Sequence, residues 1–192
     1  MCNRGVLDVV LGEMMINRLW LLVLASVVLA GCETYSAPRY GLSADNILAL
    51  KDLEGSSRIK LGAFREPQKF SAGCRAAGPI TAADDMGFAA YIRKALADEL
   101  KVAGRYDERA DVVLTGSVDN LAFSSSVGSW DITLTVTSSN GKSMTVKEHY
   151  QFHPAFVAET ACKRVADAYF PAVQDLIQKL IRSPEFRGLV QG

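Results

Sequence analysis

Between Val112 and Phe152 apolar and polar side chains alternate with a period of two. Val112, Leu114, Gly116 and Val118 fall on even positions, as do Trp130, Ile132, Leu134 and Val136, and then Met144, Val146, Tyr150 and Phe152. Thr, Ser, Asp, Lys and His fill most of the odd positions between them. A period of two puts successive side chains on opposite faces of a strand, so three strands with one buried face are predicted. Asn140-Gly141 between the last two is a strong hairpin signal, because both residues tolerate the positive φ that a tight turn demands. An earlier run, Arg58 to Phe64, alternates in the same way and predicts a strand with Ile59, Leu61 and Ala63 inward.

Elsewhere the period lengthens. Phe88, Tyr91, Ile92, Ala95, Leu96, Leu100 and Ala103 recur at helical spacing, which predicts an amphipathic helix over Asp84 to Ala103 that stops at Gly104. Asp84-Asp85 would complement the positive end of its dipole. Arg93, Lys94 and Lys101 with Asp98 and Glu99 read as a mixed, solvated face. A second helix is predicted from Val157 to Ile181, with Pro171 kinking or dividing it. A short helix is expected over Ser43 to Leu50, and a long loop over residues 65–82, which hold two Pro, two Gly and Cys74. The order β, α, β, β, β, α predicts an α+β domain: an antiparallel-dominated four-stranded sheet packed on one face by two helices. That domain is expected to span residues 58–187, with 188–192 as a tail.

The N-terminal region follows another logic. Leu19 to Ala30 is an uncharged apolar run of twelve residues behind Asn17-Arg18. A bilayer-spanning helix needs about 20, so the run reads as a secretory signal peptide. It ends in Leu29-Ala30-Gly31-Cys32, which resembles the lipobox of bacterial lipoproteins. The resemblance implies cleavage before Cys32, diacylglycerol on its thiol and acylation of the new amino group. Residues 1–31 would then be the leader, and the membrane is a partner through covalent lipid on Cys32. Glu33, rather than Asp, after the lipidated Cys implies the periplasmic face of the outer membrane over the inner membrane. Asp8 and Glu13 do not suit a basic leader, and a start at Met14 or Met15 would remove them, so residues 1–13 read as an over-extended start. The polar, turn-prone stretch from Glu33 to Gly41 reads as the start of a tether over residues 32–57.

Cysteine count and charge then take on meaning. With Cys2 in the leader and Cys32 lipidated, Cys74 and Cys162 remain of the four cysteines, and an oxidising compartment favours a disulfide between them. The chain carries 21 basic and 21 acidic residues in 192, with its Lys and Arg scattered, so no basic field exists to hold nucleic acid.

The chemistry of catalysis is sparse. Ser124-Ser125-Ser126 and Ser129 lie in no Gly-x-Ser-x-Gly elbow, and His149 and His153 are placed on or just past a strand rather than beside an acidic residue. No Walker loop, dinucleotide fingerprint or zinc spacing occurs, so no catalytic residue, cofactor or metal is expected. Trp130, Tyr150 and Phe152 read as core.

Most of the mature chain, about Ile59 to Phe186, resembles a broad set of small bacterial lipoproteins. The resemblance rests on Phe88-Ala89-Ala90-Tyr91-Ile92-Arg93-Lys94-Ala95-Leu96, Val113-Leu114-Thr115-Gly116-Ser117-Val118 and the hairpin from Thr137 to Ser143. No part of that resemblance is a catalytic motif; the lipobox, the balanced charge and the absence of a catalytic constellation lead to the expectation of a non-enzymatic binding or assembly module of the cell envelope, with an envelope protein as a possible partner. At fold level the chain is also similar to accessory lipoproteins of lipid transport and lipopolysaccharide assembly. A carrier of lipid or small ligand would need a hollow between sheet and helices, and a hydrolase would need Ser129 or a neighbour activated by His149 or His153.

Overall fold

The computed structural model describes residues 33–53 and 58–191. The expected leader, residues 1–31, and the expected lipidation site Cys32 lie outside the described residues. In chain order the elements are β1 (Tyr35–Ser36), α1 (Ala44–Lys51), β2 (Ile59–Arg65), β3 (Gly73–Cys74), β4 (Gly78–Thr81), α2 (Phe88–Val102), β5 (Val112–Ser124), β6 (Ser129–Ser138), β7 (Ser143–Gln151), α3 (Ala158–Arg182) and α4 (Pro184–Val190). The main sheet has the order β2-β5-β6-β7. β5, β6 and β7 pair antiparallel, and β2 joins β5 in parallel. A parallel neighbour requires a crossover, which α2 supplies. The architecture is α+β, as the alternation and helical spacing predict.

Helices α2 and α3 cover the even face of the sheet. Trp130 is fully buried there, and its Nε1 donates to the Val165 carbonyl of α3 at 2.8 Å. Its ring lies 4.9 Å from Tyr169 and 5.1 Å from Phe123, and the Tyr169 ring is 5.0 Å from Phe88. Tyr169 donates its hydroxyl to the Phe88 carbonyl at 3.1 Å, so both polar aromatics pair their single donor inside the core. These rings pack against one another between the layers, within a core that aliphatic side chains complete.

Two bulges shift the faces away from the simple alternation. Leu61 pairs with Leu114 but Phe64 pairs with Gly116, so β2 carries an extra residue. Ala63, expected inward, is therefore exposed, while Phe64 packs over Gly116, where any Cβ would strike its ring. Arg93 of α2 donates to the carbonyls of Leu61 and Gly62 at 2.8 and 2.7 Å, holding this irregular stretch. In β5 the register shifts between Val118 and Asn120, after which the odd residues Leu121 and Phe123 turn to the core.

Four boundaries differ from expectation. Asp84 and Asp85 do not begin α2: they sit in a 3-10 turn with φ of 55° and 53°, and Asp84 pairs with Arg39 at 2.8 Å. Glu66 serves the helix start instead, accepting from the Ala89 amide at 2.9 Å. The expected loop 65–82 contains β3 and β4, which join β1 in a three-stranded sheet of order β1-β4-β3. Over the described residues 33–53 the expected tether is part of the folded unit: Tyr35, Ala37 and Leu50 are buried, and β1 pairs in parallel with β4. Nor do residues 188–190 trail free, since Leu189 and Val190 of α4 are buried. The helix predicted over Val157 to Ile181 appears as α3 and is not divided at Pro171.

Candidate functional site

Three polar or exposed features stand out from the packed core. The first lies at the chain's entry into the fold. Glu33 leads directly into β1, and its carbonyl lies so close to Gly78 that a Cβ at that residue would overlap it. Gly78 also has φ 151°, so only glycine suits both demands. Glu33 and its neighbours to Ser36 share a cleft with Glu159, Thr160 and Lys163 from the first turns of α3. Cys74, paired with Gly78 across β3 and β4, forms the expected disulfide with Cys162 of α3, the two Cα atoms being 5.8 Å apart and both residues fully buried.

Arg75, the next residue, has a left-handed backbone with φ 50°. Its guanidinium gathers two loops: Nε and Nη2 donate to the Ser125 hydroxyl and carbonyl, both at 3.1 Å, while Nη1 reaches the Phe156 carbonyl at 2.7 Å. Nη2 also reaches the Ala155 carbonyl at 3.0 Å. Arg164 of α3 holds the same segment through the Pro154 and His153 carbonyls at 2.7 and 3.2 Å. Between them, these two loops present Val127, Phe156 and Val157 to solvent. Pro154-Ala155-Phe156-Val157 is an apolar run outside both the strand and helix patterns, the one sign of this tip in the sequence.

The second feature is the open, odd-numbered face of the sheet. His149 does stand beside an acidic residue, contrary to expectation: it lies opposite Asp131 across β6 and β7, and its Nδ1 is 2.6 Å from Asp131 Oδ1. Cross-strand neighbours that are far apart in sequence meet only once the register is known. Its other nitrogen faces Gln151 Nε2 at 3.4 Å. Ser129 is buried, and the hydroxyls of Ser124 and Ser125 accept from Val127 N–H and Arg75 respectively. These serines therefore do the work of a turn. His153 belongs to the loop held by Arg164.

The third is a buried carboxyl that the sequence reading misplaces. Glu99 was expected on the solvated face of α2, yet it is fully buried against α1 and the chain before it. Its Oε1 accepts from the Tyr40 hydroxyl at 2.5 Å, the Ser43 amide at 3.2 Å and Asn46 Nδ2 at 3.3 Å. Glu99 Oε2 and Asn46 Oδ1 have no hydrogen-bond partner among the described residues. Burial pushes the Glu99 carboxyl above its ordinary range, against the lowering effect of those three donors. The same burial, with Glu99 beside it, drives the Tyr40 hydroxyl far upward.

No group of three or more His, Cys, Asp or Glu among the described residues is placed to hold a metal ion. No described helix is long and apolar enough to cross a membrane. No family model matches the chain, and a search of curated proteins also finds no match.

Proposed function

We propose that this chain is a lipid-anchored lipoprotein on the periplasmic face of the outer membrane, acting as a non-catalytic binding or assembly module of the cell envelope. The observation that carries this reading is the sequence Leu29-Ala30-Gly31-Cys32 ending one residue before the folded unit begins at Glu33. Two or more acyl chains on Cys32 would hold the protein permanently, since a single chain binds only marginally. The buried Cys74–Cys162 disulfide suits an oxidising compartment.

Aromatic rings packed against one another between sheet and helices favour a surface role over a ligand-holding one. His149 and Asp131 make a pair, but the histidine's second nitrogen meets a glutamine rather than a nucleophile, which favours binding over hydrolysis. The Thr-rich open face and the edge strand β7 are the surfaces such a module offers to a protein partner.

Replacing the anchor tests the reading. Wild-type protein is expected in the membrane fraction with the mass of acylated residues 32–192, while Cys32→Ser is expected to lose the acyl mass and most of its membrane recovery. Envelope crosslinks formed by wild type should be lost with it. Equal membrane recovery of both forms, without acyl mass on either, would defeat the proposal.

A further inference from the structure

We infer that the tip made by Val127, Phe156 and Val157 is seated in the headgroup layer of the same bilayer that holds Cys32. This rests on the lipid-anchor reading and adds a second point of membrane contact to it.

The tip is an anomaly in an otherwise well-buried chain. Of eight phenylalanines, Phe156 alone is fully exposed, at 100%, whereas the other seven are buried or half-buried. Val127 and Val157 beside it are 68% and 60% exposed. Nor is the display a loose loop. Arg75 and Arg164 hold the carbonyls of His153, Pro154, Ala155 and Phe156, and Phe152 N–H donates to the Gly128 carbonyl at 2.8 Å. A fixed apolar projection loses little conformational freedom when it enters an apolar medium, which is the condition for useful binding.

Its place relative to the anchor identifies the occupant. Cys32 directly precedes Glu33 in the chain. Glu33 packs on Gly78; Gly78 pairs with Cys74; Arg75 follows Cys74 and binds the Phe156 and Ala155 carbonyls. On the other side Glu33 shares a cleft with Glu159 and Thr160, and Val157 immediately precedes that first turn of α3. Glu33, the residue after the proposed anchor, and the tip thus belong to one end of the domain. With β1 paired from Tyr35, the chain is tied into the fold two residues after Glu33. A bilayer surface is therefore the apolar medium nearest to Phe156.

Fluorescence quenching distinguishes this seat from simple anchoring. The lipidated protein is reconstituted into phosphatidylethanolamine–phosphatidylglycerol vesicles whose acyl chains carry bromine, with Phe156→Trp as reporter and Val127→Trp as a second. Trp130 is fully buried and supplies a background measured on wild type. Leu48→Trp is the control: Leu48 is exposed and lies by Ile181 and Arg182 at the far end of α3, a helix of 25 residues and about 37 Å. Both tip indoles should shift to the blue and be quenched about twofold or more, as suits side chains ~5–10 Å into the headgroup and acyl boundary. The Leu48→Trp emission should stay unchanged. Tip indoles as unquenched as the control, on protein that still floats with the vesicles, would overturn the seat and leave the anchor intact. Protein that neither floats nor carries the acyl mass would overturn both.

Discussion

Glu99 is the residue whose environment departs furthest from its chemistry. A carboxylate without solvent loses its hydration, and three donors to one oxygen return only part of it. Protonation offers a resolution: a proton on Oε2 removes the buried charge and turns one of the two unpartnered acceptors into a donor. The folded-state pKa is raised above the ordinary value of 4.5, so between those two values the folded state binds more protons than the unfolded one. By linkage, the resulting stability is fully present below the unfolded value and is lost as pH rises through the folded one. Glu99→Gln, neutral and able to donate from its amide, should therefore flatten this part of the pH profile. In urea titrations, wild type minus variant should become less favourable to wild type as pH climbs through that window; a difference independent of pH would refute the assignment. Glu99→Ala should cost on the order of 1–3 kcal/mol, since the Tyr40 hydroxyl, Asn46 amide and Ser43 N–H lose their acceptor.

Among the elements, the disulfide between β3 and α3 has the largest single effect to predict. It closes a separation of 88 residues, and on the chain-entropy model a loop of that length stabilises by about 4–5 kcal/mol. Against a typical domain margin of about 5–15 kcal/mol this is a major share. Cys74→Ser with Cys162→Ser, or reduction, should lower the denaturation midpoint accordingly, and a midpoint unmoved by reductant would show that the crosslink constrains little. The bridge is legible in the sequence, and the short strands around it are not. Cysteine count and compartment suggested the bridge, whereas β1, β3 and β4 are two, two and four residues long, too short to show a period. They exist because β4 finds partners on both sides, which is a tertiary fact. Strands β5 to β7 were legible because one face is buried throughout, but the bulge after Val118 reverses that face in mid-strand and left Leu121 and Phe123 outside the pattern. Glu99 was hidden for a related reason: it is adjacent in sequence to Asp98, which does face solvent enough to pair with Lys94. A helix with neighbours on more than one side has no single polar face to read. The His149–Asp131 pair depended on register in the same way.

For the molecule as a whole, the balance of charge decides how it is held. The chain has 21 basic and 21 acidic residues, and cleavage of the proposed leader, with Arg4, Arg18, Asp8 and Glu13, would leave the remainder balanced. Around the entry point and the tip, Lys163, Arg75 and Arg164 stand with Asp167, Glu33 and Glu159, so that end carries no basic excess either. Attraction to anionic headgroups needs clustered Lys and Arg and fades within a Debye length of about 3 Å at 1 M salt. Acyl chains and an apolar tip gain their free energy from burial, which added salt does not weaken. Washing membranes with about 1 M NaCl should therefore leave the protein in the pellet, while detergent should release it. A protein held through exposed charges would do the reverse and appear in the salt wash. Combined with Cys32→Ser, the same wash separates the two apolar contributions: membrane binding left in the variant should be weak, insensitive to salt and abolished by Phe156→Ser. Residual binding that survives Phe156→Ser but yields to salt would point to an electrostatic contact with a partner instead of a bilayer seat.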